Sequence, residues 1–116
     1  MAISIPGIDT AKGLELFDGN ESDYITILRS WLKNSPAVLD KLRIISEETL
    51  ANYTIAIHTI KGTYANIGAE EQRAKARQLE EMAKAGNIAG IQSENDAFIK
   101  QADTLFAEVK KWLDNN

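Results

Sequence analysis

Apolar side chains return every three or four positions along most of this chain, with polar ones between them, the period of an amphipathic helix. The clearest case runs from about Thr49 to Ile67, where Leu50, Tyr53, Ile57, Ile60, Tyr64 and Ile67 form one stripe and Gly68 supplies a stop. Before it, a helix is expected after Asn20, with Glu21 and Asp23 placing acid in the first turn. That helix carries Tyr24, Leu28, Trp31, Val38, Leu42 and Ile45 at the same spacing. Pro36 interrupts it, so it either kinks there or breaks and restarts with Ser35 as cap. A further helix is expected from about Glu70 to Ala85, ending at Gly86-Asn87. The last is expected from near Ser93, where Glu94 and Asp96 favour a beginning, to about Leu113, with Phe98, Ala102, Leu105, Val109 and Trp112 as its seam. A short first helix, capped by Asp9, closes near Asp18-Gly19. No segment alternates convincingly with the period of a strand.

Four substantial amphipathic helices with short connections predict an all-α fold, an antiparallel up-and-down four-helix bundle with a short additional N-terminal helix as a cap. Residues 1–116 are read as one domain, long enough to bury a core without metal or disulfide, and a bundle complete within one chain is expected to be a monomer. Cysteine is absent, which excludes a thiol nucleophile and a disulfide framework. The net charge of −4, without a basic stripe, argues against nucleic acid as a partner. No apolar run approaches the roughly 18 residues of a membrane span, and the opening MAISIPGID lacks the features of a signal peptide. No membrane insertion and a cytoplasmic location are therefore expected.

The chain has a single histidine, His58, inside AIHTIKGTYANIG (residues 56–68). On a helical wheel it falls about 120–140° from the centre of the apolar stripe, so it is expected to project outward. Ala51, Thr54, Ile55, Lys61, Gly62 and Ala65 share its side, and most of these are small. A glycine inside a helix costs about 1 kcal/mol relative to alanine. Glycines can permit close helix packing, but Gly62, one turn after the histidine, points with it rather than with the core stripe, which counts against that explanation. The other reading is clearance: an imidazole that must enter another protein's active site needs open backbone beside it. Lys61 adds a mobile positive charge suited to phosphate oxygens. A free imidazole titrates near pH 6.5, so at pH 7 it is largely neutral and a competent nucleophile without a base beside it in sequence. A lone surface histidine is ordinarily no more than a polar residue; the combination is what sets this one apart.

HTIKG followed by NIGA resembles the signature of histidine-containing phosphotransfer (HPt) domains, in which a phosphoacceptor histidine is followed by lysine at +3 and glycines at +4 and +10. The matching residues are His58, Lys61, Gly62 and Gly68. The opening GIDTAKGLELFDGNESDYITILRSW and the later AKARQLEEMAKAGN are also similar to the family, so the resemblance covers about residues 5–90. The opening is closer to HPt modules of hybrid sensor-kinase phosphorelays than to the phosphotransfer domain of chemotaxis kinases. One departure is Gln72, where relatives often carry an apolar residue. The resemblance implies a four-helix bundle that shuttles a phosphoryl group between aspartates of response-regulator receiver domains, downstream of a hybrid sensor histidine kinase. His58 would accept it at Nε2, Lys61 would steady its oxygens, Gly62 would admit the partner and Gly68 would end the helix. Ala51, Thr54, Ile55, Ala65 and Asn66 would belong to the docking surface.

The chain has no phosphate-binding or kinase glycine loop. It carries no evident metal cluster, and Glu70, Glu71, Glu80 and Glu81 read as solvated charge on helix surfaces. No cofactor or metal is expected, and the Mg²⁺ that phosphoryl transfer commonly needs is assigned to the partner receiver. Two other readings compete: a noncatalytic helical adaptor that binds a receiver domain or a partner helix through the His58 face, and a metal- or nucleotide-dependent enzyme, which the missing ligands and loops disfavour.

Overall fold

A computed structural model describes residues 3–116. Five helices follow in order: α1 (Thr10–Glu15), α2 (Glu21–Asp40), α3 (Leu50–Ile67), α4 (Glu70–Lys84) and α5 (Ile88–Asp114). Side-chain caps fix several of their starts. The Asp9 carboxylate accepts from the Lys12 N–H at 3.1 Å, Asn20 Oδ1 from the Asp23 N–H at 3.0 Å and Asn87 Oδ1 from the Gly90 N–H at 3.0 Å.

Long-range hydrogen bonds fix how the helices run. Tyr24 at the start of α2 donates its hydroxyl to the Ile67 carbonyl at the end of α3, 2.7 Å away. The two helices are therefore antiparallel. Asn95, buried in the first half of α5, donates to the Leu42 carbonyl just past α2 and accepts from the Tyr53 hydroxyl near the start of α3, both at 2.7 Å. So α5 runs with α3 and against α2. With α4 folded back on α3 through Gly68-Ala69, four helices close a ring in which α2 packs on α3 and α5, and α4 on α3 and α5. The short α1 lies against α2 and α3, as a cap. The core between the four long helices holds Tyr24, Leu28, Tyr53, Ile57, Ile60, Tyr64, Ile67, Leu79, Ile91 and Val109, all with almost no exposed surface.

Two features differ from what the pattern predicts. The last helix begins at Ile88, well before Ser93. Gly86, at φ 72°, ends α4 in a left-handed turn and Asn87 caps the next helix at once, so the seam starts two turns earlier, with Ile91 and Asn95. The periodic residues Leu42 and Ile45 lie beyond α2, in the 41–49 connection, although Leu42 is still fully buried. Pro36 does not break α2, which runs through it as one helix. The ring removes only the N–H that the Leu32 carbonyl would have met. No helix among the described residues is long and apolar enough to cross a membrane.

Candidate functional site

The stripe of α3 that faces the core leaves His58 on the opposite side, and its side chain is 67% exposed. It is not unpartnered. Nδ1 lies 2.5 Å from Oε2 of Glu80 on the adjacent α4. The other oxygen of that carboxylate, Oε1, accepts from Lys61 Nζ, also at 2.5 Å. Lys84, one turn further along α4, brings its ammonium to 3.7 Å from Oε2. Glu80 itself is only 3% exposed.

This corrects the reading of Glu80 as solvated surface charge. Its neighbours on α4 explain the burial. Ala76, Leu79 and Ala83 form the buried stripe of that helix, and Glu80 stands four after Ala76 and three before Ala83, on the same face. Glu81, one residue on, is exposed. A buried carboxylate is tolerable only when paired and hydrogen-bonded. Burial by itself would raise the Glu80 pKa; hydrogen bonds from Lys61 and His58, with the charges of Lys61 and Lys84, outweigh it and hold the group below the usual glutamate range. Glu80 is therefore a carboxylate at neutral pH. A carboxylate only accepts, so the Nδ1 facing it carries the ring proton. In the neutral imidazole this leaves the lone pair on Nε2, on the open edge of the ring.

The remaining residues of the face sit as follows. Gly62 is exposed, and a Cβ built on it would meet nothing within 4 Å. Ile55 is 67% exposed, one of three large apolar side chains left outside the core among the described residues, with Leu16 and Ile44. Ala51 and Asn66 are exposed, Thr54 and Ala65 half-buried. Thr54 bonds back to the Leu50 carbonyl at 2.8 Å, so its hydroxyl is occupied within the helix. Asn66 also borders a groove between α2 and α3, a cavity of about 150 Å³ over Trp31, Ser35 and Ile60. Gly68 lies apart from the imidazole, at the end of α3. Its φ of 83° and ψ of 19° make a left-handed cap, with Ala69 N–H donating to the Tyr64 carbonyl at 2.9 Å. A Cβ there would collide with the Asp9 carbonyl oxygen, and the Asp9 N–H donates to the Gly68 carbonyl at 2.9 Å. Gly68 thus joins the N-terminal segment to the α3–α4 turn. Gln72, in the first turn of α4, is half-buried, and its side-chain oxygen has no hydrogen-bond partner among the described residues.

Chemically the site is a nucleophilic nitrogen oriented by a buried, cation-bridged carboxylate. Among the described residues no group of three or more metal-ligating side chains comes together. Comparison with curated proteins and with solved structures returned no significant match. A family model described as the Hpt domain matches residues 26–115, a span that includes His58, Lys61, Glu80 and Lys84 and takes in α5, while leaving out the N-terminal segment. Since that covers most of the sequence and the fold is a helical bundle, the chain belongs to the Hpt domain family, whose chemistry is histidine phosphotransfer in phosphorelays and whose partners are receiver domains and kinases.

Proposed function

We propose that this protein is a phosphorelay intermediate that accepts a phosphoryl group on His58 from a receiver-domain aspartate and passes it to another. What supports the reading most directly is the Glu80–His58 pair, because it leaves Nε2 as the nucleophilic nitrogen. In the accepting step the Nε2 lone pair attacks phosphorus, the N–P bond forms and the P–O bond to the aspartyl carboxylate breaks. The aspartate leaves as its anion. Nδ1 keeps its proton throughout, and the positive charge that appears on the ring is matched by Glu80. On onward transfer the second aspartate attacks, the N–P electrons return to Nε2, and the ring is neutral again. No proton has to move in either direction, which suits a carrier that must run both ways.

Lys61 braces Glu80 with its ammonium and so helps to orient the ring. Gly62 admits the partner, and Ala51, Thr54, Ile55, Ala65 and Asn66 form the surface on which it docks. The Mg²⁺ and the acidic pocket are supplied by the receiver. The protein works as a monomer in the cytoplasm, in a relay of the hybrid-sensor-kinase type.

The test mixes the protein with a phosphorylated receiver and Mg²⁺. Label that is acid-labile and base-stable is expected on the protein and absent from His58→Gln; equal labelling of the variant refutes the reading. The exposed Ile55 favours a second possibility, a noncatalytic adaptor. It predicts receiver binding that survives His58→Gln, with no label ever reaching the wild-type chain.

A further inference from the structure

The two cations beside His58, Lys61 and Lys84, are unequally tied to Glu80. Lys61 is 27% exposed and hydrogen-bonded at 2.5 Å to the buried Oε1 of Glu80. Drawing it away would leave a carboxylate that is 3% exposed without its main counter-ion, and uncompensated buried charge is among the costliest changes in a protein. Lys84 is different. Its ammonium rests 3.7 Å from Oε2, outside hydrogen-bond distance, and its side chain is 64% exposed. The same oxygen holds His58 Nδ1 at 2.5 Å, so this ammonium lies at most about 6 Å from the ring. α4 runs antiparallel to α3, which puts Lys84 toward the α3 N-terminus, on the opposite side of the imidazole from Lys61. Of these two cations, Lys61 is thus committed to the carboxylate and Lys84 is the more loosely held.

We infer that Lys84 is the side chain that hydrogen-bonds the phosphoryl group carried on His58, whereas Lys61 is a positioning residue that acts through Glu80. This rests on the phosphohistidine reading above and assigns a further residue to the same site. When a phosphoryl group arrives at Nε2, a dianion appears on the open edge of the ring. Lys84 gives up a weak contact to reach it; Lys61 would have to give up a strong one. A flexible four-carbon stem with three donors is suited to following oxygens that shift as the N–P bond forms and breaks.

Phosphoramidate, a small histidine-phosphorylating donor, separates this from receiver docking. Nε2 attacks its phosphorus, the N–P bond to ammonia breaks and ammonia leaves, with Nδ1 still protonated. ³¹P NMR follows formation of phosphohistidine in wild type, Lys84→Ala, Lys84→Glu, Lys84→Arg and Lys61→Ala, and ¹⁵N NMR records the His58 ring before donor is added. Lys84→Ala is expected to phosphorylate about two- to fivefold more slowly, an effect of the size of one exposed charge contact, and to lose that difference in high salt. Lys84→Glu should be slower still and Lys84→Arg close to wild type. The ring nitrogens of unphosphorylated Lys84→Ala should match wild type, while those of Lys61→Ala should shift. Wild-type rates in both Lys84→Ala and Lys84→Glu overturn the assignment, and so does a shifted ring signature in Lys84→Ala, which would place its action on Glu80. A wild-type protein that forms no phosphohistidine removes the function proposed above and this inference with it.

Discussion

Replacing Glu80 by glutamine keeps the shape of the side chain and removes one charge, and the structure says which way the amide must turn. Lys61 meets Oε1 and His58 Nδ1 meets Oε2, so the single oxygen of glutamine can serve only one of them. A hydrogen bond from a charged group is worth about 1.5–3 kcal/mol and a neutral one about 1 kcal/mol. The difference, about 1 kcal/mol, favours oxygen on Lys61 by about fivefold. The amide NH₂ then faces the ring, Nδ1 must accept, and the proton moves to Nε2, the nitrogen that has to attack. In addition the developing positive charge on the ring loses its carboxylate. For a ring two-thirds exposed that loss is about 1–2 kcal/mol, well below the value for a dry site. Together these slow phosphorylation by about 30- to 150-fold. ³¹P NMR with a small phosphodonor measures the rate, and ¹⁵N NMR of the imidazole reports which nitrogen holds the proton. Removing the competitor restores the geometry: in Glu80→Gln combined with Lys61→Met the oxygen is free to face His58, so the proton returns to Nδ1 and part of the rate with it. A Glu80→Gln protein that keeps its ring proton on Nδ1, or that reacts at the wild-type rate, refutes the orientation argument.

Gly62→Gln has open space to enter, so it should raise stability by about 0.5 kcal/mol through helix propensity while obstructing a docking receiver; thermal melts paired with receiver-to-protein transfer check this, and undiminished transfer rejects the clearance role. Gly68→Ala forces a Cβ into a left-handed backbone position against the Asp9 carbonyl, and the cost should exceed about 2 kcal/mol in urea unfolding, whereas a change below about 0.5 kcal/mol would show that the N-terminal segment yields. Acid should weaken the bundle through Glu80. Its folded pKa lies below the ordinary 4.5, so the unfolded chain takes up the proton first. The stabilisation is complete above about pH 4.5 and is lost as pH falls through the lower folded value. Urea midpoints between pH 7 and pH 3 should therefore fall less steeply for Glu80→Gln than for wild type; parallel profiles exclude this contribution.

The parts of the fold that three-and-four spacing could show are those where a helix buries one stripe against others. Tyr53, Ile57, Ile60, Tyr64 and Ile67 are all in the core, and the exposure of His58 follows from the same geometry. Helix boundaries were harder. The acidic Glu94 and Asp96 draw the expected start of α5 to Ser93, while the turn at Gly86 and the Asn87 cap determine it. The carboxylate of the site was hidden for a different reason. Glu80 stands next to Glu81 in a helix rich in charge, 22 residues from His58, and no local rule links them. Its position relative to Ala76 and Ala83 was the available signal, and it required treating a glutamate as a core residue. Lys84 was obscured in the same way, since its nearness to the imidazole exists only once α4 has folded back along α3.

Every side chain assigned to the phosphohistidine centre comes from two consecutive helices joined at Gly68-Ala69, within residues 50–84. The other helices supply the floor beneath it, and α2 supplies one wall of the groove alongside. On the proposed reading the docking residues Ala51, Thr54, Ile55, Ala65 and Asn66 fall in the same stretch, so reactivity and partner choice are housed together in one helical hairpin. Substitutions on the outer surface of α2 can therefore drift under weaker constraint than those on α3 and α4.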